Sequence, residues 1–337
     1  MPVPIKSMKN NKSAIIAEKS PVRISFGNGG DTDYYTELLG KGNCINATIN
    51  LFSHCELRKR DDSKIVLHSR ETGHNLTFDS PEEIDYNSRE LNMMKAIVKY
   101  YGNTGIDLVT FTDVPLESGL GGSAAHVVSM IKAFDKLNNI QRSLEETAKL
   151  AYSIERNELK IGGGYQDQWA TSYTGINYME FLPGKVEITP LELAESFINE
   201  LEKRILLVYI KRKKTGHEVH DDLKKSSKDN LEILKEMGKN ILFMKNVLEE
   251  EKIEKLGPLL AKDWSYKKHL IPCISNSFTD KIYEEAIAAG ASGGRFVGAG
   301  AGGCAFFFCD DKDAVLDALK KFNIRVIPFK FFFQRNR

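Results

Sequence analysis

Asp113-Val-Pro-Leu-Glu-Ser-Gly-Leu-Gly-Gly-Ser-Ala-Ala125 sets three glycines and a hydroxyl between two apolar patterns of different period. Upstream, Ile106, Leu108, Val109 and Phe111 read as a strand, and downstream Val127, Met130, Ile131, Phe134 and Leu137 recur at helical spacing. The join therefore predicts a helix N-terminus behind a flexible loop. Gly119, Gly121 and Gly122 let backbone N–H groups approach an anion, and the helix end adds orphan donors and partial positive charge suited to phosphate. Ser123 can then reach a magnesium ion. A tight turn that binds nothing explains the same letters in isolation, so other segments must decide.

The chain has 337 residues, enough to bury a sizeable core in two ordinary domains. Lys plus Arg number 47 against 46 Asp plus Glu, so a net charge of +1 offers no global attraction for nucleic acid or an anionic membrane. Cys44, Cys55, Cys273, Cys304 and Cys309 are odd in number and widely spaced, which indicates neither a zinc site nor a disulfide framework and fits a reducing cytoplasm. Phe306-Phe-Phe308 and Phe331-Phe-Phe333 are too short to span a bilayer and read as buried strands.

Residues 14–60 are rich in strand-forming runs around Phe26-Gly-Asn-Gly-Gly-Asp-Thr-Asp-Tyr34. Helical spacing follows over Leu91 to Tyr101 and Leu144 to Leu159, then alternation over Ile176 to Phe181. Pro183-Gly184 reads as a turn and as the domain boundary, giving 1–184 and 185–337. Beyond it, Ile205 to Ile210 is a buried strand, and Val219 to Glu250 is a charged region with helical patches. A helix over Phe278 to Ala289, a strand at Ala305 to Phe308, a helix over Ala314 to Phe322 and a last strand broken by Pro328 complete an α+β pattern. Lys211-Arg-Lys-Lys214 is one compact basic run, read as a solvated strand end with substrate-phosphate contact as the alternative.

Three further groups bear on chemistry. Gly162-Gly-Gly-Tyr-Gln-Asp-Gln-Trp169 can present Asp167 inward, where a carboxylate orients a sugar hydroxyl or accepts its proton during phosphoryl transfer, with Glu155 as a second metal ligand. Arg23 and the acidic pair Asp31 and Asp33 flank a glycine-rich turn, so an arginine beside Asp167 would keep it ionised while Asp33 binds hydroxyls. Gly298-Ala-Gly-Ala-Gly-Gly303 lets backbone close over a triphosphate or substrate, and Arg295 offers a phosphate contact. Turn carboxylates and a β-hairpin are the bland readings of these segments. No Walker-type motif occurs, and the third segment precedes a strand where a dinucleotide site needs a helix. His217 and His220 lack a third ligand at short spacing, so no zinc is expected there.

Taken together, the three glycine-rich segments resemble the motifs of the GHMP kinases, the superfamily of galactokinase, homoserine kinase, mevalonate kinase and phosphomevalonate kinase. Ser20-Pro-Val-Arg-Ile, Ile45-Asn-Ala-Thr-Ile49, Ile154-Glu-Arg-Asn-Glu-Leu159 and Gly164-Tyr-Gln-Asp-Gln168 are similar to D-glycero-D-manno-heptose 7-phosphate kinases in particular. The resemblance implies an N-terminal domain of the ribosomal protein S5 domain 2-like type, a ferredoxin-like C-terminal domain, and ATP with Mg2+ between them. It implies Asp167 and Arg23 as catalytic residues, and Pro115, Ser118, Gly119, Leu120, Gly121, Gly122, Ser123 and Ala124 as the nucleotide loop. Asp33, Gly164 and Gly300 would face the substrate, and Ser123 and Glu155 the metal. The implied reaction phosphorylates the anomeric hydroxyl of a sugar or sugar phosphate in the cytoplasm, by a monomer or homodimer without nucleic-acid or membrane partners. A free-sugar 1-kinase of galactokinase or fucokinase type and an inactive sugar and ATP sensor are the alternatives.

Overall fold

A computed structural model describes residues 14–28, 32–211, 231–270, 272–298, 300 and 302–334. Asp31, the basic residues 212–214, His217 and His220 lie outside the described residues.

The first part of the chain runs β1 (Ile16–Asn28), α1 (Thr32–Leu39), β2 (Gly42–Lys59), β3 (Ile65–Ser69), β4 (Asn75–Phe78), α2 (Asn92–Tyr101) and β5 (Ile106–Thr112). It continues through α3 (Gly122–Asn138), α4 (Leu144–Tyr152), α5 (Gln166–Ser172), β6 (Ile176–Leu182) and β7 (Lys185–Pro190). Seven strands form one sheet ordered β4-β3-β5-β2-β6-β7, with β1 also paired to β2. The 18-residue β2 is its spine: one half pairs with β5, the other with β6. In β5 the residues Ile106, Leu108 and Thr110 are buried and alternate with half-buried ones, so one face carries the apolar side chains. Leu57, Leu67 and Leu108 from that face meet Ile97, Val127, Ile131 and Phe134 of α2 and α3 in one core cluster.

The remainder runs α6 (Glu195–Arg204), β8 (Ile205–Ile210), α7 (Leu231–Glu249), α8 (Leu256–Leu270), α9 (Ser277–Ala288), β9 (Ala291–Phe296), β10 (Gly303–Cys309), α10 (Lys312–Leu319) and β11 (Arg325–Val326). Its four antiparallel strands stand in the order β11-β8-β10-β9, the split βαβ arrangement of a ferredoxin-like domain. The Phe306-Phe-Phe308 run has a direct explanation in this layout. Phe306 and Phe308 join Phe26, Ile24 and Ile45 of the large sheet in one cluster. Phe307 faces the other way, into a cluster with Trp264 of α8 and Ile282 of α9. A strand covered on both faces loses the polar alternation of a half-buried one.

Two expectations change. Pro183-Gly184 joins β6 to β7, which pair from Leu182 opposite Lys185, so the turn lies inside a hairpin and the large sheet continues to Pro190. The last strand is two residues long. After Pro328, which cannot donate to a ladder, the chain returns to the large sheet: Phe331 bridges Ile49, and the Phe332 N–H donates to Thr48 O at 2.8 Å.

Candidate active site

Pro21 removes a ladder donor from β1, and the β1–β2 register shifts between Pro21 and Arg23. The Arg23 N–H turns instead to Leu120 O at 2.8 Å, tying β1 to the glycine-rich loop. The Arg23 guanidinium, only 2 % exposed, then binds in two directions. Nη1 donates to Gly119 O at 2.6 Å, while Nε and Nη2 donate to Asp167 Oδ1 at 3.1 and 2.6 Å. A fixed charge beside the carboxylate favours its ionised form. Asp167 opens α5, where sequence reading expected a loop, and its side chain retains 33 % exposure.

The loop ends at α3, whose first turn closes with the Ala125 N–H on Gly121 O at 3.0 Å. The N–H groups of Gly122, Ser123 and Ala124 are thus the helix's orphan donors. Ser123 is exposed, its Oγ 3.6 Å from Met93 Sδ. Pro115 is half-buried, whereas the side chains of Leu120 and Ala124 belong to the core, so those two positions offer backbone alone. Ser118 is buried, and its carbonyl accepts from Cys304 N–H at 2.6 Å.

That bond joins the loop to the hairpin loop between β9 and β10. A Cβ on Gly119, at φ +80°, would stand 2.6 Å from Val297 O, and one on Gly298 would stand 2.7 Å from Gly119 Cα. The third glycine segment therefore packs its backbone on the first. Lys267 Nζ holds this contact from α8 by donating to Gly298 O at 2.8 Å. Gly300, expected at the substrate, is buried against Ile274, whose side chain and carbonyl leave no room for a Cβ there. Arg295, expected at a phosphate, is 1 % exposed and paired with Asp263. Burial pushes Asp263 up and Arg295 down, and each charge opposes the shift of the other. Residue identity announced a cation here but not that an aspartate would enclose it.

Ser143 and Glu146 form a capping box that starts α4, and the helix runs on into a π-helical turn, Ser153–Glu158. Glu155 in that turn is buried. Its Oε2 accepts from Arg156 Nη1 at 3.0 Å and Gln168 Nε2 at 3.1 Å, and its Oε1 has no hydrogen-bond partner. Burial pushes this carboxyl up, against the attraction of Arg156. Arg156 Nη2 also donates to Gly164 O at 3.3 Å, so that carbonyl is engaged within the protein. Asp33, expected on a turn, sits in the first turn of α1 and accepts from the Tyr152 hydroxyl at 2.9 Å. Burial, then the Asp33 charge, pushes that phenol up.

Beside Ser123 opens a cavity of about 780 Å³, lined by Met93, Met94, Thr110, Leu116, His126 and Ile161 among others. His126 Nε2 stands 3.5 Å from Glu71 Oε1 within it. Sequence reading missed this cavity, because its walls come from five separated stretches with no local signature. No helix among the described residues is long and apolar enough to cross a membrane, and the five cysteines are unpaired with one another.

Two family models match the chain: GHMP kinases N terminal domain at residues 89–175, and GHMP kinases C terminal at 243–326. A D-glycero-alpha-D-manno-heptose 7-phosphate kinase from Campylobacter jejuni is 37 % identical over 328 residues, covering 94 % of this chain and 96 % of that protein. A sugar kinase structure from the same species superposes with a TM-score of 0.78 at 34 % identity, over 96 % of this chain and 97 % of that one. A D-glycero-D-manno-heptose 1-phosphate kinase structure from Bacteriodes thetaiotaomicron gives 0.79 at 26 %, over 94 % and 96 %.

Proposed function

Because the chain belongs to the GHMP kinases and acts as an ATP-dependent sugar kinase, we propose that its acceptor is D-glycero-D-manno-heptose 7-phosphate, phosphorylated at the anomeric hydroxyl. The observation that carries the site assignment is the Arg23–Asp167 pair, anchored to the phosphate loop through Gly119 O. The heptose reading is supported by the Campylobacter jejuni relative.

In this reading the N–H groups of Gly122, Ser123 and Ala124 hold the ATP phosphates, and the cavity beside Met93 takes the nucleoside. Asp167 receives the hydrogen of the acceptor hydroxyl, whose oxygen attacks the γ-phosphorus as its bond to the ADP oxygen breaks; the proton passes by way of Asp167 to solvent. Arg23 keeps Asp167 ionised and aimed. Asp33, held by Tyr152, binds sugar hydroxyls. The unpartnered Oε1 of buried Glu155 and the exposed Ser123 hydroxyl are hard oxygens of the kind Mg2+ takes, and these two residues would hold it. When bound, the ion neutralises charge on the transferring phosphates. A cytoplasmic setting, where ATP is supplied, suits the unpaired cysteines.

A coupled ADP-release assay across heptose 7-phosphate and free hexoses tests the acceptor, with NMR locating the new phosphate. Preference for free galactose or fucose, or transfer to another hydroxyl, refutes the heptose assignment and leaves the kinase class standing. Asp167→Asn should cut kcat by orders of magnitude while ATP still binds. Near-normal turnover would remove Asp167 from the reaction.

A further inference from the structure

The buried Arg295–Asp263 pair does not end at Asp263. Arg295 Nη1 donates to Phe26 O and Nη2 to Asn28 Oδ1, both at 3.3 Å. Asn28 Nδ2 donates to Gln166 Oε1, and Gln166 Nε2 lies 3.4 Å from Asp167 Oδ1, where the Arg23 bonds also converge. The Gln166 backbone N–H is fixed on Thr32 Oγ1 at 3.2 Å. A continuous chain of side chains thus leads from the small sheet to the carboxylate.

Its direction follows from chemistry. A guanidinium only donates, and an ionised carboxylate only accepts. Between them two amides must each turn oxygen toward Arg295 and nitrogen toward Asp167. We infer that Arg295 is a positioning residue for the transfer reaction, acting through the oriented amides of Asn28 and Gln166 to fix how Asp167 Oδ1 is held. The inference rests on the reading of Asp167 as the group that handles the acceptor hydroxyl. Asp263 and Phe26 O hold the guanidinium in place, so β9 and α8 of the small sheet's layer set a side chain in the large sheet's layer.

Asn28→Asp tests the polarity with almost no change of shape. A carboxylate there only accepts, so Gln166 must turn its nitrogen to it and present Oε1 to Asp167, acceptor against acceptor. Expected is a fall in kcat of about 10- to 100-fold, the scale of a small misplacement of a reacting group, with KM for ATP within about twofold of the parent, since the phosphate donors are untouched. Gln166→Met removes the same donor and should fall as far. The double variant should then be no slower than Gln166→Met alone, because both act through one bond. Multiplying losses, an unchanged kcat, or a loss of thermal stability without a kcat effect would each overturn the inference. Should N28D fail to fold, Arg295→Lys, which lacks the planar fork that sets Nη1 on Asp263 and Nη2 on Asn28, replaces it in the same cycle. Asp167→Asn separates the two failures: activity in D167N refutes the underlying site reading, whereas an inactive D167N with an additive cycle refutes only the role of Arg295.

Discussion

Gly119→Ala should weaken the molecule far more than an ordinary glycine substitution. At φ +80° an L-residue in the left-handed region costs about 1–2 kcal/mol. The added methyl would also stand 2.6 Å from Val297 O, a backbone atom that cannot swing aside. Forcing the loops apart adds roughly 1–3 kcal/mol of overpacking, and it endangers the Ser118–Cys304 bond, worth about 1 kcal/mol net. The total is roughly 3–6 kcal/mol. Gly184 supplies the control, with φ +74° and nothing within 4 Å of its Cβ, so Gly184→Ala carries only the backbone part, about 1–2 kcal/mol. Urea unfolding of the two variants, compared at equal m-value, reads the difference directly. The Gly119 variant should also bind ATP more weakly if its loop supplies the phosphate donors as proposed. A Gly119→Ala loss no larger than that of Gly184→Ala would show that the two glycine loops do not touch, and the account of the third motif would fall.

Glu155→Gln should raise thermal stability relative to the parent increasingly as pH climbs above the ordinary glutamate value of 4.5. The folded carboxyl titrates above its unfolded counterpart, so the stability it contributes is fully present below that value and lost as pH rises through the folded one; a stability gap that is flat with pH refutes the shift. Met93→Trp, filling the cavity beside Ser123, should raise KM for ATP at least about tenfold and leave KM for the sugar alone, the sign of a lost nucleoside site. Tyr152→Phe removes the donor to Asp33 and should lower kcat/KM for the sugar by up to about tenfold, a bond worth about 1 kcal/mol; equal loss for ATP would count against Asp33 on the acceptor side. Replacing Asp263 and Arg295 together by Leu and Met should be neutral or stabilising by about 1–4 kcal/mol in urea unfolding, while turnover drops.

The strand, glycine loop and helix over β5 and α3 were legible because their signal is local: a period of two, three glycines, then a period of 3.6 fall within 32 residues from Ile106 to Leu137. The Arg23–Asp167 pair spans 144 positions, yet both partners sit in glycine-rich segments that already called for a ligand. Arg295 was misjudged for the opposite reason. Its partner Asp263 lies on a helix with nothing distinctive around it, and burial is a property of the packed layers. α1 escaped notice because Asp-Thr-Asp after glycines reads as a turn, while Tyr35, buried in the cluster of Trp264 and Phe296, holds the helix by tertiary packing. The π-helical turn at Glu155 is likewise invisible in spacing, since Leu144 to Leu159 carries an unbroken helical pattern.

Where the fold spends its buried charges separates stability from function. Arg23, Glu155, Asp263, Lys267 and Arg295 are each at most 2 % exposed. Lys267, Asp263 and Arg295 come from the small sheet and its helices, Arg23 from β1, and Glu155 from the turn after α4. Apolar side chains of similar volume would fill such positions at no loss of stability, often with a gain. Phe26, Phe306 and Phe331 do so a few residues away, packed ring against ring. Three of the cations each hold an oxygen at the seam of the two sheets: Arg23 holds Gly119 O, Lys267 holds Gly298 O, and Arg295 holds Phe26 O and Asn28 Oδ1 at the end of β1. Carbonyls of glycine loops have no side chains of their own to fix them, and a donor-only cation delivered through the core fixes them at a single point. The two sheets are therefore joined by directed contacts at the glycine loops and where Phe331 and Phe332 pair with Ile49 and Thr48, and by undirected apolar packing in the core they share, which places part of the rigidity of the seam where phosphate and acceptor are proposed to meet.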